Sequence, residues 1–127
     1  MPTFHLNKLV RDKIIQHQID EGETVDFEKL SKEDLITALI HKLGEESTEI
    51  QDSDNPTAEL ADVQQVIDDL AQLLNVTPEA IRKKQAEKFA KNGGFLKGQF
   101  VRSVTCAEDD KWTAYYRQEP DRFPETE

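Results

Sequence analysis

A chain of 127 residues suits one domain and is long enough for a real core. It is 36% hydrophobic and 33% charged, polar without being disordered-like, and its net charge of -10 argues against general nucleic-acid binding, which needs a basic surface. No apolar run approaches the ~20 residues of a membrane span, the opening Met1–His5 lacks the basic-then-apolar layout of a secretory leader, and the single Cys106 has neither a disulfide partner nor a zinc-type spacing; a cytoplasmic location is the expectation.

In chain order, Leu9, Ile14, Ile15 and Ile19 interleave with Lys8, Arg11, Asp12 and Lys13, which predicts a short lead-in and a helix over roughly 10–21, ended by Gly22. Thr24–Phe27 has the composition of a short extended piece. Ser31 is placed to cap a second helix, with Asp34 three positions on. That helix carries Leu35, Ile36, Leu39, Ile40, Leu43 and Ile50 at core-like spacing and should stop near 51–54, because Asp52-Ser53-Asp54-Asn55-Pro56 is a strong loop signal. Thr57 is the expected cap of a third helix through Leu60, Val63, Val66, Ile67, Leu70, Leu73 and Leu74, ended by Asn75. Thr77 and Pro78 open a fourth, as cap and first helical residue, and Asn92-Gly93-Gly94 closes it. Beyond it, Phe100–Thr105 and Trp112–Tyr116 alternate like strands around a polar turn at Ala107–Lys111, so a C-terminal β-hairpin is expected. The fold class expected is all-α, a helical bundle over 1–99 with antiparallel acidic helices, carrying a small β-hairpin-like appendage and coil over 100–127.

Two acidic segments interrupt these apolar patterns. On the second helix, Lys42, Glu46 and Glu49 fall on one stripe that continues Leu35 and Leu39, with Glu45 about 100° to the side. On the third, Glu59 and Asp62 share a face with Val66 and Leu70. Paired antiparallel, the two helices bring these carboxylates together, and something positive must hold them there. Mg²⁺, bound by a few carboxylates and shared with substrate phosphates, fits that need. The plainer alternative is a solvated acidic surface, with Glu59 serving the dipole of a first helical turn.

The basic residues group as well. Lys84, Lys88 and Lys91 lie on one stripe at the end of the fourth helix, with Lys83 and Lys97 close in sequence, where they either bind phosphate or simply complement the helix dipole. Lys8, Arg11 and Lys13 form a second group; Arg11 offers a bidentate fork for phosphate, or a surface salt bridge to Asp12 or another acid. His5, His17 and His41 share no spacing, and Ser47 and Thr48 have no evident base. Trp112, Tyr115 and Tyr116 offer stacking surfaces for a base, or for hairpin or subunit packing.

Taken together, these segments resemble a known family. Asn7–Ile14 resembles the opening motif of phosphoribosyl-ATP pyrophosphohydrolase-like proteins, Lys42–Ile50 the EExxE motif of the MazG-like all-α nucleoside triphosphate pyrophosphohydrolase superfamily, and Glu59–Val63 its ExxD partner. Lys88–Phe95 is similar to the group's C-terminal lysine and Gly-Gly-Phe segment. The resemblance spans residues 4–100 in order. It implies an oligomeric helical bundle, a homodimer or homotetramer, and Mg²⁺-dependent cleavage (Mn²⁺ a possible substitute) between the α- and β-phosphates of a nucleotide. By position it implies Glu46, Glu49, Glu59 and Asp62 as metal ligands, and Glu45 as a further ligand or as the group holding a water. Glu45 and Glu46 would be the catalytic pair, and Lys8, Arg11, Lys88 and Lys91 phosphate contacts. Only nine residues, Ile50–Ala58, separate the two acidic motifs, short for the superfamily, so a tight turn is expected, with a truncated preceding helix as one way to make it. The alternatives are the phosphoribosyl-ATP hydrolase of histidine synthesis and a non-catalytic acidic module that binds proteins.

Overall fold

A computed structural model describes all residues from Met1 to Glu127. Its regular structure is all helix, with α1 Ile14–Asp20, α2 Lys32–Asp52, α3 Pro56–Leu73, α4 Pro78–Asn92 and α5 Lys111–Arg117. The chain forms two compact units, Met1–Ala90 and Lys91–Glu127. No helix is long and apolar enough to cross a membrane.

The helix boundaries follow from local chemistry. Ser31 opens α2, its hydroxyl oxygen accepting the Asp34 N–H at 3.2 Å. Thr77 does the same for α4, accepting from the Ala80 N–H at 3.1 Å. α3 corrects the expected cap: Asn55, not Thr57, closes its N-terminus, its side-chain oxygen accepting from the Ala58 N–H at 3.2 Å. Pro56 explains the shift. Its preset φ and missing N–H suit the first helical position, so the cap falls on the residue before it. Asn75 (φ +58°) and Gly93 (φ +77°) then turn the chain out of α3 and α4 through the left-handed region. α1 is shorter than its apolar pattern suggests. The Lys13 side chain at the cap position carries no oxygen to accept a helix N–H, and no side chain caps the start of the helix.

In the first unit α2 and α3 are the helices that pack over an extended face. Only Ser53, Asp54 and Asn55 join them, so they run antiparallel. A register that sets Glu46 beside Glu59 also sets Leu39 level with Val66, two turns further along each helix. Leu39, Val66 and Ala71 are the buried apolar side chains of the chain. The tight turn comes without truncation, since α2 continues three residues beyond Glu49. The outer faces are less well covered: Ile40, Leu60 and Leu74 are each more than half exposed. Ile67, Leu70, Ala71, Leu74, Val76 and Ile81 line an apolar hollow of about 210 Å³ where α3 gives way to α4.

In the second unit the expected hairpin is absent. Residues 100–105 adopt no regular structure, and Trp112–Tyr116 lies within α5. Asp110 explains much of this, because its carboxylate accepts the Trp112 N–H at 2.8 Å and so starts a helix where the alternation implied a strand. Helical spacing stacks Trp112 on Tyr116, centroids 6.2 Å apart, and Phe123 packs against Tyr116 at 5.0 Å. A lone two-stranded hairpin would have had little to pack on.

Arg117 fastens this cluster. Its Nε donates to Glu125 Oε1 at 2.8 Å and its Nη1 to Glu108 Oε2 at 2.7 Å, while Nη2 reaches both carboxylates. The guanidinium hydrogen bonds, more than the charge alone, hold Glu108 and Glu125 below the ordinary carboxylate value of 4.5. A lowered carboxylate contributes stability above its unfolded value and loses it as pH falls through the folded one. Trp112 is the only tryptophan, so its emission reports on this unit in the intact protein. The emission should hold steady from neutral pH into mild acid and change below 4.5, with Arg117→Gln showing the acid-type spectrum already at neutral pH. Identical spectra for both proteins across the range would mean that the clip does not order the aromatic cluster.

Candidate metal centre

The site is built where α2 ends and α3 begins. On α2, Glu46 and Glu49 are one turn apart and share a face. Asn55 and Pro56 set the first turn of α3 so that Glu59 meets them across the helix pair. Glu46, Glu49 and Glu59 each contribute a carboxylate oxygen to a group whose atoms all lie within 4.8 Å of one another.

The electrostatics of this group are unbalanced. Glu46 is only 7% exposed, the one buried charged residue of the chain. Its Oε1 lies 3.3 Å from Lys42 Nζ, one turn back on α2. Its Oε2 is buried with no hydrogen-bond partner, and so is Oε2 of Glu59. Buried carboxylate oxygens are ordinarily paired, because an unmet one forfeits its hydration. Three carboxylates against one lysine leave a local charge of about -2 if all are ionised. Glu49 feels the excess: repulsion from Glu46 first, then desolvation, push its carboxyl above the ordinary value, and Glu59 adds to this. A hard divalent cation that takes oxygen ligands fits the donor set, the unmet oxygens and the excess charge.

An open depression of about 330 Å³ adjoins the group, lined by Thr48, Glu49, Asp52, Ser53 and Glu59.

The remaining expected residues are placed less uniformly. Asp62, one turn beyond Glu59 on α3, lies outside the three-carboxylate group and instead accepts from Arg11 Nη2 at 2.6 Å. The surface salt bridge envisaged for Arg11 thus exists, with Asp62 as the acid. It also carries the Asn7–Ile14 segment to the acidic helices. Glu45 is exposed beside the buried Glu46. Lys8, Lys88 and Lys91 are exposed and make no ion pair, whereas Lys84 pairs with Glu87 at 3.2 Å. Ser47 and Thr48 donate to the carbonyls of Gly44 and Glu45 at 2.8 and 2.7 Å, an ordinary use of hydroxyls on a helix. His41 is exposed and makes no side-chain hydrogen bond.

Sequence spacing alone does not reveal the partner role of Lys42. Its i,i+4 spacing to Glu46 was visible, but only burial of that carboxylate turns an ordinary helix pair into the sole counter-charge of the group. No protein-family model, curated protein or solved structure matches this chain.

Proposed function

We propose that this protein is a Mg²⁺-dependent nucleotide pyrophosphohydrolase, which cleaves a nucleoside triphosphate between its α- and β-phosphates to give a monophosphate and pyrophosphate. A role in clearing modified nucleotides suits it. The observation that carries the proposal is the buried Glu46, whose Oε2 has no hydrogen-bond partner and which shares with Glu49 and Glu59 a group of carboxylate oxygens within 4.8 Å of one another. A protein-binding acidic module has no use for a charge hidden from its partner, whereas a cation site requires inward-facing oxygens.

In this proposal Glu46, Glu49 and Glu59 hold the ion, and Asp62 completes the set from the next turn of α3. A divalent cation in that position supplies Lewis acidity toward phosphate oxygens and makes water a better nucleophile. Glu45, exposed next to the site, holds the attacking water and accepts its proton. Lys8, Arg11 and Lys88 are the proposed phosphate contacts. Positioning and charge neutralisation carry most of the catalysis in such a reaction. The ion also resolves a problem of sign, since it draws an anionic substrate to a protein of net charge -10. The apolar outer faces of α3 support a further part of the proposal, assembly as a homodimer or homotetramer.

The test is release of pyrophosphate from a panel of ordinary and modified deoxynucleoside triphosphates and phosphoribosyl-ATP, with and without Mg²⁺ or Mn²⁺. Release from triphosphates that requires the cation is the expected result. Release from phosphoribosyl-ATP alone would transfer the activity to histidine synthesis. No release from any member at micromolar enzyme would leave the acidic module as the better account.

A further inference from the structure

Asp62 stands between two positive groups. It sits at i+3 from Glu59 on α3, so both carboxylates leave the helix on one face. Yet in the structure Asp62 is turned to Arg11, whose Nη2 donates to its Oδ1 at 2.6 Å. This is the one side-chain hydrogen bond that ties residues 1–30 to the α2–α3 pair. Arg11 itself lies ahead of α1, outside regular structure. The second observation is independent of the pair: Oε2 of both Glu46 and Glu59 is buried without a partner, in a group that Arg11 leaves uncompensated.

We infer that the Arg11–Asp62 pair is an exchange latch: a divalent cation entering the Glu46–Glu49–Glu59 group takes Asp62 from Arg11, and the freed guanidinium turns to the phosphates of the incoming nucleotide. This inference rests on the metal reading given above and adds to it an order of events and a rival for one ligand. The physical case is a balance of charge. A guanidinium and a divalent ion cannot both sit against one carboxylate without repelling each other. The Arg11 and Asp62 side chains are 57% and 38% exposed, so their attraction is screened and the pair is easily given up. A divalent ion among partly buried carboxylates is screened far less. Once released, the planar fork of Arg11 is an unpaired donor set beside the site, the form that binds phosphate in two parallel hydrogen bonds. An anion therefore finds its arginine free only after the metal is in place. Metal and nucleotide then bind with positive coupling, which by linkage must be reciprocal.

The effects of removing Arg11 have opposite signs for the two ligands. Arg11→Ala should tighten Mn²⁺ alone by about two- to fivefold, the range set by the strength of a screened ion pair. The same variant should weaken binding of α,β-methylene-ATP in the presence of Mn²⁺ by about tenfold, the value of one charge-assisted pair. A merely structural role, docking the N-terminal segment, would weaken both. Titration calorimetry and Mn²⁺ electron paramagnetic resonance on the full chain read these affinities. Lys13→Ala, which removes an exposed charge close in sequence that makes no ion pair, controls for the loss of positive charge alone. In the D62N background Arg11→Ala should no longer change Mn²⁺ affinity, because the competition is gone. Equal effects of Arg11→Ala with and without Asp62 would overturn the latch while leaving the metal site standing, provided that Glu46→Gln abolishes Mn²⁺ binding. No Mn²⁺ binding by the unaltered protein would overturn the latch and the metal reading together.

Discussion

Glu46→Gln is expected to lower cation-dependent turnover by on the order of 10²–10³-fold while leaving the protein folded. The change keeps the size and shape of the side chain and removes only the charge. In the absence of metal, thermal stability should stay level or rise. The unaltered protein buries a carboxylate with one oxygen unmet, and relief of that cost offsets the weakened tie to Lys42 at 3.3 Å. The two proteins should diverge when Mg²⁺ is added. A ligand that binds only the folded form stabilises by about 2.7 kcal/mol at a hundred times its dissociation constant, and the melting temperature of the unaltered protein should climb accordingly. The Gln variant should show little or no climb. If both proteins respond alike to Mg²⁺, or if neither does, Glu46 is not a ligand and the group is an acidic cluster held together for another reason. Turnover that survives the substitution would place the chemistry elsewhere on the chain.

This test turns on a property that the sequence could not supply. The stripe of Lys42, Glu46 and Glu49, and the facing pair Glu59 and Asp62, were legible from spacing, because a helix fixes which positions share a face. So were most helix ends, where Ser31, Thr77, Asn75 and Gly93 act through their own backbone or nearest amides. What spacing leaves open is depth. Glu46 and Glu45 are adjacent and identical in type, yet one is buried and the other exposed. The difference arises from the packing of α2 on α3, a contact between residues distant in sequence. Long-range pairing is also why the sequence leaves open which acid Arg11 pairs with: Asp62 lies 51 residues away along the chain. The C-terminal segment failed for the reverse reason. Its period-two pattern was real, but the Asp110 cap and the stacking of Trp112 on Tyr116 outweighed a strand with nothing to pair with.

Depth also bears on assembly, where the second large effect lies. Leu39, Val66 and Ala71 are a small apolar core for a chain of this length, and Leu60, Val63, Ile67, Leu70 and Leu74 continue as a stripe along α3 that is only partly covered. A stripe at this spacing is the contact face of a helix that packs on another, and a second copy of the α2–α3 pair would supply the missing surface. Leu74 is the informative position. It is 52% exposed and lines the apolar hollow, so a polar group there leaves the helix pair itself undisturbed. It also stands at the C-terminal end of α3, where a positive charge is favoured by the helix dipole. Leu74→Lys should therefore not weaken α3, yet it would bury an ammonium group in an apolar interface. Lost apolar burial and the desolvated charge together cost about 4 kcal/mol, which weakens association about a thousandfold. Sedimentation equilibrium at micromolar concentration should then show oligomers for the unaltered protein and monomers for the variant. Gln72→Lys, exposed on the same helix, adds the same charge away from the hollow and should leave association intact. If Leu74→Lys associates like the unaltered protein, the hollow is not the subunit contact. If the unaltered protein is itself monomeric, the apolar stripe needs a different partner.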